Sequence, residues 1–413
     1  MKILYVMQQG SEVRKPPFDG PANHVRHVIQ GLIALGHQTR LIIGLDGKYW
    51  QSDDLHSFSI IRIPSPNLIA RLFEKLIRRI QTDFHLPYGA WFENQRFAAA
   101  CRFAGKDADL FLERTSWMAY GAALAARKMK IPLISEFNGD PLHDLEAKKI
   151  APEGLQRRLS KEIYRFSLKR SAALIASGMG WRDNLIQQWS VLPEQITVIE
   201  NGSVLVELLD RTELKTFQEG TQPQSHVTLV YLGSFYAWHG TQILVRAFQR
   251  NLARFPHIRL LMIGSGSGLE ETRSLVKHLN LENVVQFTGS MTSEEYAPLL
   301  ANANIGVSPY CQWIEYSGLK LFDYKAAGLA IIASGENGCP VTLKHGETGI
   351  IVPPCDENAL TEAINTLVND RSKRIHLGKN ARLEAEKEHT WQMTTQRIAG
   401  VCEKVNRESK RYG

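Results

Sequence analysis

Residues 258–289 read "IRLLMIGSGSGLEETRSLVKHLNLENVVQFTG". An apolar run (258–264) enters a turn containing Gly264, Gly266 and Gly268. A helical pattern follows, and a second apolar run closes the stretch at 284–289. Two short strands joined through a helix form a βαβ unit, the repeating element of a parallel sheet wrapped by helices.

The same rhythm extends in both directions. Upstream lies "VTLVYLG" (227–233); downstream come "NIGVSPY" (304–310) and "LAIIAS" (329–334), with helical stretches between. Polar sequence from Thr212 to Gln224 reads as a linker. Before it runs a second series of apolar segments at 2–7, 38–44, 59–64, 109–113, 132–137, 173–177 and 196–201. Helical patterns such as "ANHVRHVIQGLIALG" (22–36) separate most of them. A chain of 413 residues exceeds one typical core. The expected architecture is α/β: two Rossmann-like, doubly wound parallel-sheet domains facing across a cleft, with ligands beyond the strand C-termini.

Composition narrows the function. Hydrophobic residues make up 44% and charged residues 22%, ordinary values for a soluble globular protein. Lys and Arg outnumber Asp and Glu by 49 to 42, which favours anionic partners. No stretch interleaves aromatic residues with Lys and Arg, so nucleic acid is not expected among them. Five scattered cysteines without a C-x-x-C pair fit a reducing compartment and buried thiols. "MKILYVMQQG" reads as a first strand rather than a signal peptide, and no apolar run approaches eighteen residues. The expected location is cytoplasmic.

The main chemical signal is "WIEYSGLKLFDYKAAG" (313–328). Leu319, Phe322, Lys325 and Ala326 have helical spacing, so Ser317-Gly318 marks a helix start with unpaired backbone N–H groups. Such a start attracts phosphate. Glu315 lies before it and Asp323 upon it, a spacing that suits a ligand with a central phosphate and hydroxyls at both ends. Other motifs read as ordinary structure. The G-x-G-x-G turn lacks the spacing of a dinucleotide fingerprint, and no acidic residue ends the following strand to hold a ribose. Asp107 and Asp109 precede their strand, at the edge opposite the expected site. His24 and His27 lack a third ligand. No metal is expected.

Taken in order, "VYLGSFYAWHGTQILVRAF", "LLMIGSGSGLEETRSL", "VVQFTGSM", "SGLKLFDYKAAGLAIIAS" and "HGETGIIVPPCDENALTEAI" resemble the retaining glycosyltransferases of the GT-B fold, family 4. "FLERTSWMAYGAALAARKMKIPLISEFN" and "ITVIENGS" extend the resemblance into the first half, and "TWQMTTQRIAGVCEKV" resembles the helix that crosses back to it. The implied domains are 1–205 with 391–413 on the acceptor side, and 206–390 for the nucleotide sugar.

The resemblance implies a nucleotide-sugar donor, a saccharide or lipid-linked acceptor, no cofactor and no metal. Glu315 and Asp323 match the family's Glu-x7-Glu motif, with Glu315 on the donor sugar and Asp323, one methylene shorter than usual, on the ribose. Ser317, Gly318, Leu319 and Leu321 would hold the diphosphate through backbone N–H groups. Where the family carries Arg and Lys after the first C-terminal strand, this chain has Ser234 and His239. Charge on the pyrophosphate then falls to a protonated His239 and to Lys320. Gly20, Gly264, Gly266, Thr288 and Met291 complete the donor side. In the first half, where the family often carries a His, the catalytic candidates are Glu136, Asn138 and Asp140, with Asn138 the one chosen. Rival readings are a GT-B nucleotide-sugar 2-epimerase that hydrolyses its substrate, and a non-catalytic nucleotide-sugar-binding protein. A UDP- or GDP-linked donor is expected.

The stretch 68–80, "LIARLFEKLIRRI", gathers Leu68, Ile69, Leu72, Phe73, Leu76, Ile77 and Ile80 on one face, flanked by Arg71, Lys75, Arg78 and Arg79. It reads as a core-packed helix or as one lying on an anionic membrane surface, the inner face of the plasma membrane. A second basic helix at 154–170 favours the membrane reading.

Overall fold

The structure is a computed structural model and describes residues 1–16, 18–64, 67–147, 149–209, 226–311, 318–336, 340 and 342–412. The chain divides into two compact units. One comprises Met1–Ile199 with Thr395–Gly413, the other Glu200–Thr394.

The first unit carries eight strands: β1 (Lys2–Met7), β2 (Gln38–Leu45), β3 (Lys48–Ser52), β4 (Ser59–Ile60), β5 (Leu110–Arg114), β6 (Leu133–Phe137), β7 (Ala173–Ala176) and β8 (Ile196–Val198). Their order is β4-β3-β2-β1-β5-β6-β7-β8. From β2 to β8 every pairing except that with β3 is parallel. The sheet departs from expectation at its edge, where β2, β3 and β4 pair antiparallel. Leu45 faces Lys48 across Asp46 and Gly47, whose φ angles are 52° and 68°. That is the backbone of a two-residue primed turn, for which Asp-Gly is a favoured sequence. The segment expected at 59–64 contributes only Ser59–Ile60.

The second unit holds β9 (Val227–Leu232), β10 (Ile258–Ile263), β11 (Val285–Gly289), β12 (Ile305–Ser308), β13 (Ala330–Ser334) and β14 (Gly349–Val352). All pairings are parallel, in the order β11-β10-β9-β12-β13-β14. Strand faces alternate between two cores, as a period of two requires. Leu229 and Tyr231 of β9 join one with Leu260 and Met262, while Val230 joins the other with Leu261 and Ile263. The chain order reverses between β9 and β12. Ligands of such sheets bind beyond the strand C-termini at that switch point.

The helix Leu68–Asp83 buries no residue, so the core-packed reading fails. Leu68, Ile69, Leu72, Phe73 and Leu76 are each more than half exposed. One of its cations is corrected: Arg78 turns inward, pairing with Glu74 at 2.8 Å and Glu93 at 2.5 Å beneath the Phe92 ring. It anchors the helix to its own domain. Among the described residues no helix is long and apolar enough to cross a membrane. Cysteines also differ from expectation. Cys101 and Cys402 are buried thiols, but Cys311 and Cys355 form a disulfide.

Candidate functional site

The loops after β9 and β12 meet around Lys320. Gly318, which has no side chain to cap with, is the N-cap of the helix Leu319–Ala326. The helix Gly20–Ala34 differs, because the Asp19 carboxylate accepts from Ala22 N at 2.8 Å. A carboxylate already sits at the Gly20 helix start, whereas at the Gly318 start the cap residue itself adds no negative charge to the partial positive charge of the helix. Leu321 is removed from the donors: its N–H bonds to the Gly318 carbonyl at 3.0 Å and its side chain lies in the core. Gly318 and Leu319 stay half-buried at the helix start.

Lys320 is 8% exposed, with Nζ 4.9 Å from the ring centroids of both Tyr231 and Tyr310. The two rings stabilise the ammonium through their π faces. Gly233, at φ 141°, lies against it; a Cβ there would fall 3.0 Å from Nζ. Tyr231 OH and His239 Nδ1 both bond to the Ser234 carbonyl oxygen, which fixes the loop. Burial, and then the Lys320 charge, push His239 down to about 3. The expected protonated His239 is therefore corrected: the ring is neutral at physiological pH, a hydrogen-bonding prop rather than a cation. Lys320 carries the positive charge.

Gly264 and Gly266, at φ 131° and 151°, press against backbone. A Cβ on Gly264 would meet Gly233 O at 1.9 Å, and one on Gly266 would meet Phe235 N at 2.6 Å. Only glycine permits the two loops to approach this closely. These glycines therefore shape the loop after β9. Thr288 Oγ1 bonds the Gly289 carbonyl at 3.0 Å, and Met291 packs on the core.

Asp323 is half-buried. Its Oδ1 accepts from Ser203 Oγ at 2.6 Å and its Oδ2 from Tyr296 OH at 2.9 Å. Burial raises its carboxyl to about 6 even though both hydroxyls favour the ionised form. Glu315 and Ser317 lie outside the described residues.

In the first unit three neighbouring polar residues have three different surroundings. Glu136 is buried, 3.3 Å from His24 Nε2, and accepts from Tyr5 OH. Burial alone would raise its carboxyl, but His24, Tyr5 and Arg114 together outweigh that and lower it. Asp140 accepts from Trp189 Nε1 at 3.0 Å and Leu142 N at 3.0 Å. Asn138 Nδ2 is buried with no hydrogen-bond partner among the described residues. Asp107 pairs with Lys2 at 2.8 Å and Asp109 with Lys410 at 3.6 Å. Among the described residues no group of three or more His, Cys, Asp or Glu is placed to hold a metal.

Ser203, Tyr296, Tyr231 and Tyr310 did not emerge as site residues from the sequence. Ser203 ends the quoted "ITVIENGS", but its partner Asp323 is 120 positions away.

Two mainly parallel sheets wrapped by helices are the architecture of the glycosyltransferases of the GT-B fold. The chain belongs to its family 4: residues 213–384 match the family described as Glycosyl transferases group 1, and residues 19–202 the Glycosyl transferase 4-like domain. The D-inositol 3-phosphate glycosyltransferase of Corynebacterium kroppenstedtii is 26% identical over 267 residues, covering 62% of this chain and 58% of that protein. The chain spans little more than half the length of this relative and of two of the same description from Corynebacterium efficiens and Corynebacterium glutamicum, 53% and 54%. The MMP alpha-(1->4)-mannosyltransferase of Mycolicibacterium hassiacum is 24% identical over 405 residues, covering 94% of this chain and 95% of that one. Among solved structures, Anabaena HepE in complex with UDP superposes with a TM-score of 0.70 at 18% identity, covering 98% of this chain and all of that one. This last likeness concerns the fold.

Proposed function

We propose that this protein moves a sugar from a nucleoside diphosphate donor to a saccharide or lipid-linked acceptor, with retention at the anomeric carbon and without a metal. The observation that carries this reading is Lys320, a buried ammonium held over two tyrosine rings in the first turn of the helix that starts at Gly318. Together they offer a fixed positive field for the diphosphate, whose charge grows as the sugar leaves. Gly318, Leu319 and Lys320 would bind the diphosphate, Asp323 the ribose, and Glu315 the donor sugar. Asn138, with an amide nitrogen that has no partner among the described residues, is the catalytic candidate of the first unit. Ser234, Gly20, Thr288 and Met291 remain secondary donor contacts. UDP, which HepE holds, and GDP are the first nucleotides to test.

Glu315→Gln is expected to lower turnover at least tenfold, about 1.4 kcal/mol, because an amide lacks one of the two acceptor oxygens that sugar hydroxyls use. Nucleoside diphosphate affinity should hardly change. Wild-type turnover in the variant would remove Glu315 from the site.

Activity is expected to survive EDTA. Asp107 and Asp109 are engaged with lysines, and the diphosphate charge is met by Lys320 and the helix start. Complete loss with EDTA, restored by Mn²⁺, would overturn the metal-free mechanism.

The helix Leu68–Asp83 is proposed to rest on an anionic leaflet at the cytoplasmic membrane face. Tyr88 and Gln156 exchange two hydrogen bonds that tie the segment after this helix to the second basic helix, and Phe84, Leu86 and Leu155 are exposed. Such a surface would bring a lipid-linked acceptor and the enzyme together.

A further inference from the structure

We propose that Ser203 and Tyr296 are positioning residues for the donor, aiming the Asp323 carboxylate at the ribose diol. The inference rests on the reading of Asp323 as the ribose-binding group. An ionised carboxylate has about four lone-pair sites. Ser203 occupies one on Oδ1 and Tyr296 one on Oδ2, which leaves each oxygen able to accept from one further hydroxyl. A vicinal diol supplies two such donors.

Both props are themselves fixed. Ser203 N donates to the His389 carbonyl at 2.9 Å, and its Oγ also accepts from Leu205 N at 3.1 Å. The preceding Gly202 is packed so closely that a Cβ would meet Trp391 N at 2.4 Å. Tyr296 stands on the helix Ser293–Ala301, which begins with a Thr292–Glu295 capping box, and its hydroxyl lies 3.2 Å from Ser293 Oγ. Asp323 therefore takes its direction from two elements distant in sequence. A short side chain gripped on both oxygens loses little freedom on meeting the ligand, and that preorganisation is its contribution to affinity.

A purely structural latch would use the same bonds, so the test must read the ribose itself. Affinities of the full chain for UDP and GDP, and for their 2′,3′-dideoxy counterparts, are measured by calorimetry in wild type, Ser203→Ala, Ser203→Thr and Tyr296→Phe. Tyr296→Phe and Ser203→Ala are expected to weaken the ribonucleotide that wild type binds by about tenfold, the scale of one hydrogen bond to a charged group. They should leave the dideoxy form within about twofold, and Ser203→Thr, which keeps the hydroxyl, should restore binding. If Tyr296→Phe fails to fold, the Ser203 pair carries the same comparison. Equal losses for ribo and dideoxy forms would reduce the pair to a latch and overturn the proposal alone. Failure of wild type to bind either diphosphate would overturn the donor reading, and this proposal with it.

Discussion

Changing Arg71, Lys75 and Arg79 together to Gln is expected to weaken sedimentation with anionic vesicles by about two powers of ten, at roughly 1 kcal/mol per cation. The melting temperature should stay nearly constant. The helix that carries them has no buried side chain, and its ion pair Arg79–Asp83, 3.4 Å apart, is exposed and adds little to folding. Arg78 is left in place because it holds the helix to Glu74 and Glu93. Raised salt should weaken wild-type binding through screening. A wild type that ignores anionic vesicles, or a variant that binds them equally well, would leave this apolar face without a membrane role.

Glu113→Gln is expected to stabilise the protein by on the order of 4 kcal/mol at pH 8. Glu113 lies 1% exposed on β5, and burial pushes its carboxyl from 4.5 up to about 8, only partly relieved by the Ser135 hydroxyl. Folding therefore takes up a proton between these values. The cost is absent below the unfolded pKa, grows as pH rises toward 8, and is constant above it. Gln keeps the shape without the charge. The variant's advantage in chemical denaturation should close as pH falls from 8 toward 4.5. An advantage that is the same at both ends would show that Glu113 does not titrate as its burial requires.

The strands of the second unit were legible because parallel strands buried on both faces produce near-continuous apolar runs, as in "IRLLMI" and "AIIAS". β3, with the sequence Lys-Tyr-Trp-Gln-Ser, has no such run because it lies near the sheet edge and is only half-buried. The Asp-Gly turn before it was the readable signal. Lys320 and the helix start at Gly318 were likewise legible, since a local pattern places both. The charge state of His239 was not, because it depends on burial and on a lysine 81 positions away in the chain. The Ser203–Asp323–Tyr296 arrangement was hidden for the same reason: each partner comes from a different element.

The division of the chain also sets an order of assembly during synthesis. The second unit is continuous from Glu200 to Thr394 and can complete its sheet as soon as that stretch has left the ribosome. The first unit is made earlier but is completed later. Ile398, Cys402 and Val405 are buried, and Gly31 packs so closely on Thr395 that a Cβ would lie 2.4 Å from its hydroxyl oxygen. Until the helix Trp391–Tyr412 emerges, the groove that receives it stays open on the nascent chain, and the earlier-made part of this unit waits for it.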